Sequence, residues 1–429
     1  MKKIFTFLTG IFVCALMTSS GSAQSPDTDK APQANHFVAN DSGSTDSTSS
    51  SLPSLSNAVI VQQIAAAKQL LKSRSNVTSD TINIAALDPQ TSQINIFSVK
   101  KELFLTKGAD LSTTTQLGRN VSLHVIRPNG VNTAVTVADV AARRQLFPLV
   151  VQYPIVKGGS IVETAYYTSA HPALESAEII SAGNTYVTTM IENAARHLAE
   201  NGVSISDDII NIAEHLVIVE HTDHQRFLND DRSKIYPDIL SLYALNQGDT
   251  FRYSVSSAGA GGMIQMIPRT YEGIRQQHPS IDLASDFVSG MRNHANALEA
   301  MLLYINDTWN YLQKQDEVQN ALRGGTASKA ELLAAGYNSN PMRLPVYLKN
   351  GGAGWRTLIP AETQLYLSIY SNVDSNIRFG SQVVQDVALR GDSVAEATAA
   401  AHNPVMVLMS WLGDELAAEG RSVLGRLER

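Results

Sequence analysis

At 429 residues the chain is long enough for two ordinary domains with tails, and its 44% hydrophobic, 17% charged composition is that of a soluble globular protein. A formal net charge of −7 excludes a chain-wide basic field of the kind that draws in nucleic acid or anionic lipid. No nucleic-acid partner is therefore expected, and a neutral or mixed-charge substrate fits better.

In chain order, Lys2 and Lys3 precede an apolar run over residues 4–17 and the small-residue site Gly21-Ser22-Ala23, the pattern of a secretory signal peptide over 1–23. The run is shorter than the ~20 apolar residues a spanning helix needs. The expectation is export, to the periplasm or the medium, with no membrane anchor in the mature chain. The single cysteine, Cys14, lies inside this run behind the bulky Val13, which speaks against lipidation. Once the leader is removed, no disulfide, thiol nucleophile or thiolate metal site remains to be invoked.

Residues 24–56 are dominated by Ser, Thr, Asp, Asn and Gln, with too little apolar surface to repay ordering, and are expected to form a disordered linker. Ile60, Ile64, Ala67 and Leu71 then recur at helical spacing behind a Ser56 or Asn57 cap. The period changes to two at Ile82/Ile84, Ile94/Ile96 and Val121/Leu123/Val125, and Pro128-Asn129-Gly130 sits where a hairpin turn would. This predicts a small α+β domain over 57–175. No recognisable site gathers in it, so a spacer, substrate-binding or partner-binding role is as far as its residues lead.

From about Asn184 the pattern is helical, with Val187, Ile191, Ala194 and Leu198 on one face and a stop at Gly202. Ser206 is placed to cap a second helix, Asp207 and Asp208 suit the positive end of its dipole, and Ile209, Ala213 and Leu216 form a stripe whose next position is Glu220. A mainly helical domain over 176–375 and a helical C-terminal segment over 376–429 complete the expected organisation, the run Val405-Met406-Val407-Leu408-Met409 being read as core packing.

Chemistry gathers around Glu220. It closes the run Leu216-Val217-Ile218-Val219, and its register points the carboxyl to the apolar side of the helix. A carboxyl deprived of water is harder to ionise, so its pKa rises toward the range where it can donate a proton at neutral pH. A buried, hydrogen-bonded structural Glu is the alternative that this helix leaves open. Downstream, the glycines of the 256–268 stretch permit a tight backbone before an apolar segment brings Gln265 to a fixed position. Such a loop can approach a ligand closely, although a turn before a helix is the plainer reading, and no phosphate-loop spacing is present.

Ser256-x-x-Gly259-Ala260-x-Gly262-Met263-Ile264-Gln265-x-x-Pro268 resembles the signature of the lysozyme-like soluble lytic transglycosylases, S-x-x-G-A-x-G-L-M-Q-x-x-P. Gly336-Tyr337-Asn338-Ser339-Asn340 resembles that family's A-Y-N-A-G element, and Pro360-Ala361-Glu362-Thr363-Gln364-Leu365-Tyr366 its P-x-E-T-x-x-Y element, in the same order. The chain departs from the pattern at His221, where Ser commonly follows the catalytic Glu, at Asn340, which replaces a Gly, and in a longer connection from Glu220 to Ser256, read as an insertion over 228–252. Asn tolerates left-handed geometry, so the turn can survive its change.

The resemblance covers roughly residues 184–372. It implies an α+β protein with a mainly α lysozyme-like catalytic domain behind the smaller β-containing one. It also implies that Glu220 cleaves the bond between N-acetylmuramic acid and N-acetylglucosamine in peptidoglycan, first as acid and then as base toward the muramic C6 hydroxyl, leaving a 1,6-anhydro product. On the same grounds Ser256, Gly259, Met263, Gln265, Tyr337 and Asn338 are expected to bind substrate or hold the Glu, with Tyr337 hydrogen-bonding near its carboxyl, and Glu362 and Tyr366 to support the groove. Neither cofactor nor metal is implied. The cluster Glu214, His215, Glu220, His221, Asp223 and His224 superficially resembles a metal-binding run, but its spacing matches neither H-E-x-x-H nor H-x-x-E-H. Two further readings stay open: a wall-binding protein that kept the groove and lost turnover, and a hydrolase using a second carboxylate from Asp223, Asp230, Asp231 or Asp238.

Overall fold

A computed structural model describes residues 55–74 and 77–380. The expected signal peptide, the linker up to residue 54 and the C-terminal segment beyond 380, with its 405–409 run, lie outside the described residues.

The chain is α+β, a curled antiparallel sheet followed by helices. Helix α1 (Asn57–Lys72) starts where Ser56 accepts a hydrogen bond from the Val59 N–H, and it buries the expected stripe Ile60, Ile64, Ala67 and Leu71. Among the described residues seven strands follow: β1 (Thr81–Asp88), β2 (Gln93–Lys100), β3 (Asp110–Thr114), β4 (Asn120–Arg127), β5 (Ala134–Asp139), β6 (Arg144–Lys157) and β7 (Ser160–Tyr167), with the short helix α2 (Lys101–Phe104) after β2. Their order is β2-β1-β6-β5-β4-β3, with β7 on β6. The long β6 pairs with β5 at its start, with β1 in its middle and with β7 at its end. Opposite Ala85 and Ala86 its register slips by one residue beside Pro148, which has no N–H to give the ladder.

Curling brings the far strands together, so that the Gln116 N–H donates to the Ile96 carbonyl at 2.9 Å. Ile82, Ile84, Phe97, Val121, Leu123, Val125, Val135 and Val137 fill the interior, while α1 packs on the opposite face against Leu87, Ile96 and Val150. Pro128 and Asn129 do lie in the connection between the antiparallel pair β4 and β5, but a short 3-10 turn over Gly130–Asn132 widens it beyond a tight hairpin.

The helices are α3 (Ala177–Glu200), α4 (Asp207–Val219), α5 (His224–Asn229), α6 (Ile235–Asn246), α7 (Pro268–Gln277), α8 (Phe287–Arg292), α9 (His294–Leu312), α10 (Asp316–Arg323), α11 (Lys329–Asn338), α12 (Leu344–Gly351) and α13 (Ala361–Asn376). Helix α3 begins before the expected Asn184, capped by Ser176, because Ile179 and Gly183 extend its buried face. Gly183 lies where α3 meets α6; a Cβ there would stand 1.8 Å from the Leu240 carbonyl oxygen. The helix ends near Gly202 (φ +84°) as expected, closed by the Val203 N–H bonding the Leu198 carbonyl.

The segment read as an insertion forms α6. Ile235, Tyr236, Ile239, Leu240, Leu242, Tyr243, Ala244 and Leu245 are all buried, too many for a single stripe, and a helix apolar all round has to be covered all round. Ile239, Leu240 and Tyr243 belong to the helical core, Leu242 to the sheet interior, and Ala244 and Leu245 to the layer beneath α1. At its end the Asn246 side chain accepts from the Thr168 N–H at 2.9 Å and donates to the Thr168 carbonyl at 2.7 Å, tying the helix to the chain leaving β7. Asn246→Ala strands both buried backbone groups and is expected to cost about 2–4 kcal/mol; thermal unfolding followed by circular dichroism measures it, and an unchanged midpoint would show that the tie carries no weight.

Candidate functional site

Helix α4 is buried along most of its length, and Glu220 is its C-terminal cap. Two physical effects disfavour a charged carboxylate there: the surrounding apolar side chains withhold water, and the unsatisfied carbonyls of the helix end present the negative pole of its dipole. Burial pushes the Glu220 carboxyl up to about 8, the hydroxyl of Tyr366 works against that shift, and the charge of Glu362 adds to it. Tyr366, on α13, donates its hydroxyl to Glu220 Oε1 at 2.6 Å. Burial raises the phenols of Tyr243, Tyr337 and Tyr366 well above the ordinary tyrosine value, so all three stand around Glu220 as neutral groups.

Tyr337 stands near the Glu220 carboxyl without bonding to it. Its hydroxyl donates to the Ile264 carbonyl at 2.7 Å, holding the glycine loop, and the contact with the Glu carboxyl is made by Tyr366 instead. Asn338 Oδ1 accepts from the Thr363 hydroxyl at 2.9 Å and so joins the end of α11 to the start of α13. Glu362 is exposed in the first turn of α13, where the helix dipole suits its charge.

The loop before α7 is a closed structure. Ser256 accepts the Ala260 N–H on its hydroxyl at 3.0 Å while its own N–H donates to the Ala260 carbonyl at 2.9 Å, around Gly259 at φ +78°. Gly262, at φ +68°, passes so near α8 that a Cβ would lie 2.2 Å from the Met291 carbonyl oxygen. Gln265 adopts φ +46°, a conformation costly for a residue with a side chain. Its amide donates to the Gly262 carbonyl at 2.8 Å and the Ser254 hydroxyl at 3.2 Å. Met263, expected to bind substrate, has its side chain fully buried in the helical core; its carbonyl accepts from His221 Nε2 at 3.1 Å.

His221 is the departure that the structure explains. Its ring stacks on Phe251 with centroids 3.4 Å apart and planes within 4°, and burial lowers it to about 3, so it stays neutral. With Nε2 donating to the loop, it braces the loop against the end of α4. Neither this role nor the Tyr366 contact was legible in the sequence; the only signal for the first was a His where Ser is usual. His215, from the same acidic and histidine cluster, is buried elsewhere on α4 with Nδ1 on the Asn211 carbonyl. Among the described residues no group of three or more His, Cys, Asp or Glu is arranged to hold a metal ion, and no helix is long and apolar enough to cross a membrane.

Beside His221 opens a cavity of about 470 Å³, walled on one side by the β4–β5 connection and on the other by α5, α6 and the 251–254 segment. Comparison of the chain with known protein families, with curated proteins and with solved structures gives no match.

Proposed function

We propose that this chain is an exported murein lytic transglycosylase with a lysozyme-like catalytic region, Glu220 being its acid and then its base. The observation that carries the reading is one carboxyl, set at the end of an apolar helix, raised to about 8 and gripped by a neutral Tyr366 hydroxyl. Protonated at neutral pH, Glu220 gives its proton to the glycosidic oxygen as the bond to C1 of N-acetylmuramic acid breaks. The carboxylate left behind takes the proton of the C6 hydroxyl, whose oxygen bonds to C1 to close the anhydro ring. The motif resemblance of the 256–268 loop and of the segments around Tyr337 and Tyr366 supports the same reading.

Mass analysis of the soluble products from purified peptidoglycan, treated with the mature chain, tests it. Anhydro-muropeptides are expected; reducing ends would mean hydrolysis, and the absence of fragments would leave a glycan-binding protein. Hydrolysis is the second reading because Glu362 is a second carboxylate close enough to act on the Glu220 charge.

Loss of the Tyr366 hydroxyl in Tyr366→Phe removes a bond that favours the ionised form, so the Glu220 pKa is expected to move further up. Fragment release should fall by about 10–100-fold and the alkaline limb of its pH profile should shift to higher pH. A pH–rate series measures both, and a limb that stays in place would remove Tyr366 from the proton chemistry.

A further inference from the structure

The cavity beside His221 has a volume within the range of small-ligand pockets, and the proposed proton transfers do not use it. Three half-buried charges stand in its wall: Arg127 at the end of β4, Arg226 in α5 and Asp238 in α6. Arg127 Nη2 and Arg226 Nη1 lie 3.1 and 2.9 Å from the same atom, Asp238 Oδ2. Asp223, the other carboxylate of the wall, accepts the backbone N–H of Arg226 as the cap of α5. Asp230, which meets Arg226 Nε at 3.3 Å, is itself half exposed.

Each guanidinium is a planar fork of five N–H donors, and here two forks share one carboxylate oxygen. Each fork has more N–H donors than its bonds to Asp238 and Asp230 use, and such forks bind a further carboxylate in pairs of parallel bonds. Asn129 and Asn132 add amides, while Tyr153, Ile155 and Phe251 supply an apolar wall. An acid carried on a short chain with some apolar surface suits this lining better than an uncharged sugar ring.

We propose that the cavity binds a carboxylate of the peptide stem attached to the glycan, so that the enzyme selects peptide-bearing strands. This rests on the glycan-cleaving reading above, and it gives the sheet part a role in substrate choice. The same chemistry could be supplied by the lactyl carboxylate exposed when the stem is removed, so the probes have to separate the two.

Calorimetric titration of the Glu220→Gln chain, which binds without turnover, uses three probes: a disaccharide carrying its stem peptide, the same disaccharide with the peptide removed, and the free peptide. The first and third are expected to bind, and Arg127→Gln to weaken both by at least about tenfold, the value of one lost charge-assisted bond. Binding of the peptide-free disaccharide should not change. Asn129→Trp, at the exposed rim, narrows the cavity while leaving Arg127, Arg226 and Asp238 paired, and should give the same selective loss should Arg127→Gln fail to fold. Equal affinities in the variants and the parent overturn the proposal, as does a loss confined to the peptide-free disaccharide. Incubating the parent chain, with Glu220 intact, on whole peptidoglycan separates the two readings: absent fragments defeat cleavage, and the peptide titration still decides the cavity.

Discussion

Glu220→Gln is expected to lower fragment release from peptidoglycan by about 10³-fold or more, because one group supplies both proton transfers and each is worth about 10²–10⁴-fold. The amide keeps the shape of the side chain and can still accept from Tyr366, so the fold should persist. Stability carries a second signature. The folded carboxyl holds its proton up to about 8 against an ordinary value of 4.5, so the folded state binds more protons than the unfolded one across that interval. Stability from this group is therefore complete below about 4.5 and declines as pH rises toward about 8, with a slope of at most about 1.4 kcal/mol per pH unit. In Glu220→Gln the slope should vanish, so the variant becomes progressively more stable than the parent as pH rises. Denaturant midpoints at a series of pH values test this; parallel curves would mean that Glu220 is solvated, and would remove the physical basis for its acid role.

A comparably large effect is expected from Gly262→Ala. Left-handed backbone alone costs a residue with a side chain about 1–2 kcal/mol, and the backbone of Met291 stands where the new methyl would go. Backbone cannot move aside as a flexible side chain can, so overpacking adds about 1–3 kcal/mol. The strain falls on the segment that positions Ser254, Gln265 and the partner carbonyl of His221, and fragment release should fall with it. Gly259→Ala is the control: φ is +78° there, but nothing lies within 4 Å of the added Cβ, so only the backbone cost applies. Chemical unfolding of the two variants beside the parent distinguishes them, and equal losses would show that contact with α8 contributes nothing.

How much was legible follows from how local each feature is. The stripe from Ile209 to Glu220 could be read because positions three and four apart on a helix share a face whatever surrounds it. The glycine loop could be read because positive φ at Gly259 and Gly262 is a property of those residues and their turns. In α6 the apolar residues on every side were a signal of complete burial, but its place between sheet and helices was obscured by reading the segment as an insertion. Met263 and Tyr337 were assigned by resemblance to substrate or to the carboxyl, and packing placed one in the core and the other on the Ile264 carbonyl.

By itself the sequence determined the periodic elements, the turn glycines and the helix stripe that ends in Glu220. Only the tertiary structure decided that Tyr366 reaches Glu220 across the chain, that His221 stacks on Phe251 to hold the loop, and that Arg127 from the sheet shares Asp238 with Arg226 from the helices. Periodicity acts over a few residues, whereas desolvation and the choice of hydrogen-bond partner are set by whichever distant segments pack against a group.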